Sequence, residues 1–296
     1  MVDNLTNALP SVAILGLGTM GGGMAHRLLT QGGKVSVYAR NPEKRKHFEE
    51  AGATAADSPS KAVENAEVVI SMVSDDAASR EIWLGTHGAL AALKPGSVSI
   101  ECSTISPELV AELGKKFAEK HLDFLDAPVT GSKPQAAAGE LTFLVGGEGA
   151  ALNKAEPVLK VLGRKIAHLG SLGSGARMKL INNMLCAVQA AGFAEALALA
   201  EKSGLAIDSV LDILTNGAPG SPMVKTLSKR MTDRNYDVNF YLHLMAKDVG
   251  YAIKLSDDYG ASHKAADAAL NLLDNAKKKG WSEKDFSSLV EPLRAQ

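Results

Sequence analysis

The stretch SVAILGLGTMGGGMAHRLL, residues 11–29, decides how the rest of the chain is read. Its first five residues form an apolar run bounded by Pro10 and Gly16, the mark of a short buried strand. From Thr19 onward, Met20, Met24 and Leu28, with Ala25 and Leu29, recur at helical spacing until Gly32-Gly33 stops them. Between strand and helix lies Gly16-Leu17-Gly18-Thr19-Met20-Gly21, a G-x-G-x-x-G. Alone that pattern is weak, but a strand before it and a helix after it give it meaning. Gly16 allows a tight turn, Gly18 lets the backbone approach a pyrophosphate, and Gly21 permits close helix–strand packing. The helix start adds N–H groups and the positive end of its dipole. The segment predicts a dinucleotide cradle formed by Gly16, Leu17, Gly18, Thr19, Met20 and Gly21.

The next strand, residues 35–39, runs into Arg40-Asn41-Pro42. In such a cradle an Asp or Glu about 20 residues beyond the motif accepts the ribose 2′-OH. Here Arg40 stands at that place. A carboxylate would repel a 2′-phosphate, whereas a guanidinium binds it in a bidentate fashion and stacks on adenine. Asn41 can add a hydrogen bond, and Lys44 or Arg45 could assist. The residues therefore predict NADP(H), with NADPH preferred over NADH.

Strand-like and helix-like pieces alternate through the first half. Apolar runs at 67–73, 97–102, 121–129 and 141–147 read as strands, and 42–52 and 107–120 as helices. This rhythm predicts a mostly parallel sheet covered by helices. After about Gly175 the character changes. Residues 176–204 form one long helical pattern, apolar nearly all round and so expected to be buried. Only helices follow, with loops around 215–222 and 234–239. The predicted organisation is a Rossmann domain over 1–174 and an all-α domain over 175–296, joined through the long helix.

Composition narrows the function. The 32 basic and 33 acidic side chains leave a net charge of -1, with no cluster able to neutralise a row of phosphates, so nucleic acid is not expected as a partner. The two cysteines, Cys102 and Cys186, lie in unrelated contexts and read as reduced thiols. The seven histidines show no ligand spacing, so no metal is expected. The polar start is not a signal peptide. The apolar run from Leu185 to Ala200 is broken by Gln189 and Glu195 and reads as too short and polar to span a bilayer. A cytoplasmic location is the expectation.

Two further segments carry chemistry. In DAPVTGSKPQAAAGELTFLVGG, residues 126–147, the loop Thr130-Gly131-Ser132 offers N–H and hydroxyl donors to a small anion such as a carboxylate. In GARMKLINN, residues 175–183, Lys179 and Asn183 fall four apart and share a helix face. A lysine on an otherwise apolar helix is costly unless it has a partner or a task.

Together GLGTMG, the 126–147 segment, GARMKLINN, LMAKDVGYAI (244–253) and GWSEKDFSSLV resemble the β-hydroxyacid dehydrogenase family. That family includes 3-hydroxyisobutyrate dehydrogenase, tartronate semialdehyde reductase and glyoxylate/succinic semialdehyde reductase. The resemblance covers nearly the whole chain. It implies a Rossmann domain and an all-α domain of the 6-phosphogluconate dehydrogenase C-terminal kind. It also implies Lys179 as catalytic lysine, Asn183 as the asparagine that positions the substrate, and Thr130, Gly131 and Ser132 as carboxylate binders. Lys247 is implied near the nicotinamide, with Asp248 beside it, and Met72, Val73, Ser74 and Thr104 as cofactor contacts. The implied reaction is hydride transfer between NADP(H) and a small carboxylate-bearing aldehyde or hydroxyacid. Lys179 would supply or take the proton. The alternatives are an NAD-dependent 3-hydroxyisobutyrate dehydrogenase working oxidatively, an imine reductase, a phosphogluconate-type decarboxylase and a non-catalytic NADP-binding protein. Imine reductases usually lack the lysine. Phosphogluconate-type enzymes usually place a histidine where Asn182 stands. The apolar helix suggests a homodimer or homotetramer. Residues 216–223 and Phe240 are candidate pocket walls.

Overall fold

The computed structural model describes residues 9–295, and they form two compact units divided between Lys179 and Leu180. In the first unit the chain runs through β1 (Val12–Leu15), α1 (Thr19–Thr30), β2 (Val35–Tyr38), α2 (Pro42–Glu50), β3 (Thr54–Ala55), α3 (Pro59–Val63), β4 (Val68–Ser71), α4 (Asp76–Leu84), β5 (Val98–Glu101), α5 (Pro107–Ala118) and β6 (Asp123–Asp126). All six strands are parallel, in the order β3-β2-β1-β4-β5-β6. The order reverses at β1, and the crevice at such a reversal, outside the strand C-termini, is where open α/β sheets bind ligands. This is the expected Rossmann sheet.

β1, β4 and β5 are buried at every position, so both faces of these central strands are covered. One face packs Ile14, Val37, Ile70 and Ile100 with Met24 and Leu28 of α1. The other packs Leu15 and Val69 with Trp83 of α4 and Leu113 and Phe117 of α5. Trp83 and Phe117 meet edge to face at 5.3 Å between ring centroids.

The expected strand over 121–129 is two strands. Pro128 has no N–H to give to a ladder, and the chain leaves the main sheet after Asp126. It resumes as β7 (Val129–Thr130), then α6 (Lys133–Ala138), β8 (Leu141–Val145), α7 (Gly149–Leu162) and β9 (Gly163–His168). β7, β8 and β9 make a separate sheet, β7 antiparallel and β9 parallel to β8. The 141–147 run therefore belongs to this second sheet. α7 and β9 have no counterpart in the sequence reading. β9 is half-exposed and basic, GRKIAH, so it shows no apolar run. Two glycines let α6 and α8 (Ser174–Lys202) approach their neighbours. A Cβ on Gly23 of α1 would stand 3.0 Å from the Ala136 Cβ, and one on Gly175 only 2.1 Å from the Leu144 carbonyl oxygen.

α8 continues into the second unit, which adds α9 (Ile207–Asn216), α10 (Pro222–Thr232), α11 (Leu242–Asp258), α12 (Lys264–Ala276) and α13 (Glu291–Arg294). Its core gathers Ala187, Ala190, Ala194 and Leu197 of α8 with Leu227, Met231, Met245, Val249, Leu273 and Leu289. Arg294 donates to both oxygens of Glu201, at 2.7 and 2.5 Å, and so fastens α13 to α8. Asp285 is buried and accepts from the Asn239, Phe240 and Ser287 amides, with Arg230 beside it.

The long helix departs from expectation. It is not buried all round: Ile181, Leu185 and Leu199 are 49%, 56% and 69% exposed. Nor is it too short to span a bilayer, because as one 29-residue helix it carries an 18-residue window of mean hydropathy 1.4. Its alanine face is core of the second unit, which accounts for that hydropathy without a membrane.

A methyl group at position 175 has nowhere to go. Gly175→Ala is expected to cost about 1–3 kcal/mol, read from urea unfolding midpoints at unchanged m-value.

Candidate active site

The predicted dinucleotide cradle is built from backbone contacts. Gly16 has φ +111°, and a Cβ there would lie 2.2 Å from the Met72 carbonyl oxygen. A Cβ on Gly21 would lie 2.0 Å from the Gly16 carbonyl oxygen. A Cβ on Gly18 would meet nothing within 4 Å, so the turn is bare on its outer side. α1 starts at this turn with no side-chain cap and no acidic residue in its first turn. By contrast, Asn41, Ser58, Asp75 and Ser106 cap α2, α3, α4 and α5 with their own side chains. An uncapped helix start beside a bare glycine turn fits a pyrophosphate.

The other expected cofactor positions follow adjacent strand ends. The Gly16 amide donates to the Tyr38 carbonyl at 2.8 Å, tying the turn to the end of β2, two residues before Arg40. Arg40 and Asn41 are exposed. The Asn41 side-chain oxygen accepts from the Glu43 amide and caps α2. Arg45 is engaged elsewhere: it donates to the Ala39 carbonyl at 2.7 Å and faces Asp57 at 3.5 Å. Lys44 is exposed on the first turn of α2. Met72, Val73 and Ser74 leave β4, and the Val73 amide donates to the Ser103 hydroxyl at 2.8 Å, next to Thr104. The structure thus brings 16–21, 40–41, 72–74 and 104 to one edge of one sheet.

Thr130, Gly131 and Ser132 lie on the second sheet and the turn into α6. Gly131 has φ +117°, a conformation that favours glycine. The Ser132 amide is already engaged, donating to the Gln135 Oε1 at 2.9 Å in a capping box. Of the donors expected there for a carboxylate, this one has an internal acceptor.

Asp126 opens the 126–147 segment, and the structure shows its role. Its carboxylate is buried at the end of β6 and accepts from the Gly173 and Ala176 amides, at 2.7 Å each. It caps the helix that carries Lys179. Burial pushes its pKa up to about 6, with the Ala176 and Gly173 amides opposing the rise. Glu101, at the end of β5, is a second buried carboxylate that sequence gave no role. The available signal was the same in both: an acidic residue closing an apolar strand.

Lys179 is half-buried on α8, and Asn183 follows one helical turn later. Within the second unit, Asn183 is buried and its amide nitrogen donates to Asp248 Oδ2 at 2.6 Å. Lys247 Nζ stands 2.9 Å from Asp248 Oδ1, an ion pair outside hydrogen-bond angles, so the attraction is one of charge. The Lys247 ammonium also lies 4.9 Å from the Tyr251 ring centre. Asp248 is 1% exposed and aimed at Asn183, a residue that orients the amide. Residues 216–223 link α9 to α10, where Ser221 donates to Gln189 of α8 at 2.7 Å. Phe240 is half-buried.

A family model described as the NAD binding domain of 6-phosphogluconate dehydrogenase matches residues 11–170. One described as NAD-binding of NADP-dependent 3-hydroxyisobutyrate dehydrogenase matches 173–293. The chain belongs to the β-hydroxyacid dehydrogenase family. It is 36% identical to an NAD-dependent L-serine dehydrogenase of Pseudomonas aeruginosa, over 97% of this chain and 100% of that one. It is 35% identical to glyoxylate/succinic semialdehyde reductase 1 of Arabidopsis thaliana, over 96% and 98%. A solved Mycobacterium tuberculosis 3-hydroxyisobutyrate dehydrogenase with L-serine superposes at TM-score 0.87 and 33% identity, over 97% and 99%. This dehydrogenase is therefore an oxidoreductase that uses a nicotinamide cofactor, as the resemblance implied.

Because the folded Asp126 carboxyl titrates above its unfolded value, the native state binds the extra proton between about pH 4 and pH 6. Its contribution to stability is largest below that window and falls as pH rises through it. Asp126→Asn removes the titration and one acceptor. The stability gap between wild type and D126N is expected to narrow by about 1–3 kcal/mol from pH 4 to pH 7, measured by denaturant unfolding at each pH.

Proposed function

We propose that this dehydrogenase is an NADPH-preferring reductase of a small aldehyde acid, a semialdehyde or glyoxylate, with Lys179 as its general acid. The observation that carries the cofactor choice is Arg40, exposed at the end of β2 with no acidic residue closing that strand. Its guanidinium would hold a 2′-phosphate, with Asn41 and Lys44 beside it. Gly16 to Gly21 would seat the pyrophosphate, with Met72, Val73, Ser74 and Thr104 lining the adjacent loops. When bound, the cofactor supplies a hydride to the carbonyl carbon of the substrate.

The chain's own residues do the rest. Thr130, Gly131 and Ser132 bind the substrate carboxylate. Asn183, oriented by Asp248, holds the reacting oxygen in line with Lys179. Lys179 as an ammonium ion stabilises the oxygen as charge develops on it and gives it a proton. In the oxidative direction its neutral amine takes that proton. We also assign Lys247, with Asp248 beside it, to the nicotinamide end. The relatives support a substrate of this kind, since their names specify serine, 3-hydroxyisobutyrate, glyoxylate and succinic semialdehyde. We assign residues 1–174 to a cofactor domain and 175–296 to a helical domain, in a cytoplasmic homodimer or homotetramer.

A second reading has its own support. The 36% identity to an NAD-dependent L-serine dehydrogenase favours oxidation of a 3-hydroxyacid with NAD. Consumption of NADPH and of NADH against glyoxylate and succinic, methylmalonate and tartronate semialdehydes separates the two. Turnover with NADPH clearly preferred is expected. Turnover only in reverse, on a 3-hydroxyacid with NAD, would replace the first reading by the second. Arg40→Glu is expected to cut the preference for NADPH about 10- to 100-fold, since it exchanges a charge-assisted pair for a repulsion. Lys179→Ala should lower kcat by about 10²–10⁴ with the cofactor affinity nearly unchanged. Wild-type turnover in that variant would remove Lys179 from the mechanism.

A further inference from the structure

Glu101 is fully buried, 0% exposed, at the last position of β5. A carboxylate taken out of water at this cost needs its oxygens occupied. Its Oε2 accepts from the Ser79 hydroxyl at 2.6 Å and from the Trp83 indole N–H at 2.8 Å, both on α4. Its Oε1 accepts from the Ser103 backbone amide at 2.8 Å. The Ser103 hydroxyl in turn accepts from the Val73 amide at 2.8 Å. One carboxylate therefore joins α4 to the loop after β5, and through Ser103 to the loop after β4. A second carboxylate repeats the link farther out. Asp76, in the first turn of α4, accepts from both the amide and the hydroxyl of Ser106, at 2.9 and 2.6 Å, and Ser106 caps α5. Nothing in the proton or hydride chemistry uses Glu101.

We infer that Glu101 is a positioning residue for the cofactor: its carboxylate fixes Ser103, and Ser103 fixes Val73, so that the loops at 72–74 and 103–104 stand as one preformed shelf at the sheet edge. This rests on the reading of those loops as cofactor contacts. A preformed shelf pays no ordering cost when the cofactor binds. The residues on its two sides have separable tasks. Trp83 holds the carboxylate from the helix side, whereas Ser103 transmits its position to the loops. In Glu101→Gln the new amide must face either the Ser103 N–H or the Trp83 N–H, and both are donors only.

The test compares three variants, each checked by circular dichroism to be folded at the assay temperature. Affinity is read from the fluorescence of the reduced nicotinamide, which needs no turnover and so stands apart from which aldehyde acid the enzyme takes. Ser103→Ala and E101Q are expected to bind NADPH about three- to tenfold more weakly. Trp83→Phe is expected to lower Tm and leave the affinity within about twofold. Should E101Q fail to fold, S103A against W83F decides alone. Unchanged affinity in S103A, or the same weakening in W83F as in S103A, would make the network a brace for α4 and overturn the assignment.

Discussion

The Asp126 carboxylate accepts from the Gly173 and Ala176 amides, and the start of the longest helix depends on that contact. The first turn of a helix leaves backbone N–H groups without acceptors, and a buried carboxylate answers two of them at once. The contact needs the backbone close. The Asp126 Oδ1 would lie 2.4 Å from a Cβ at position 146, and Oδ2 would lie 3.0 Å from one at 175. Glycine at both positions lets the strand end, the second sheet and the helix start share one small volume. Lys179 follows one turn later, so its place in the first unit is set by a strand-end carboxylate.

The same construction recurs along the sheet. Parallel strands buried on both faces leave their polar freedom to their ends, and this fold fills the ends of β5 and β6 with Glu101 and Asp126. Burial raises both carboxyls above the usual range, and the surrounding N–H and O–H donors oppose the rise. Cys102, beside Glu101, has its thiol pushed well above the ordinary value by burial, which makes it an unreactive small apolar group. The glycine turn after β1, inside the same row, is held chiefly by backbone atoms. Gly16, Met72 and Gly21 meet through backbone atoms, and the surface they leave bare is the one an anion can occupy.

In the second unit a carboxylate again organises loops. Asp285 collects three amides and faces Arg230, and thereby fixes Asn239 and Phe240. Asp248 does the smaller task of aiming one amide, that of Asn183. α8 shows how composition and burial part company. Its alanines pack tightly enough to be core, while Ile181, Leu185 and Leu199 on another side remain exposed.

By itself the sequence determined the Rossmann half, because strand–glycine turn–helix is a local pattern with a local physical cause: only glycine tolerates the turn and the close approach. It also determined that an arginine, not a carboxylate, follows β2. It marked Lys179, Asn183 and the 130–132 loop, since polar groups among apolar neighbours stand out. Only the tertiary structure decided that the 121–129 run breaks at Pro128 into two sheets, because a proline's effect on pairing depends on which partners lie beside it. It alone revealed β9, whose basic, half-exposed residues carry no apolar signal. It alone showed Arg45 engaged by Ala39 and Asp57, Ser132 by Gln135, and Asp248 by Asn183. It alone gave Asp126 and Glu101 their roles. A buried carboxylate is recognised by the donors that converge on it, and Ser79, Trp83, Ser103, Gly173 and Ala176 come from distant parts of the chain that only folding brings within hydrogen-bond reach.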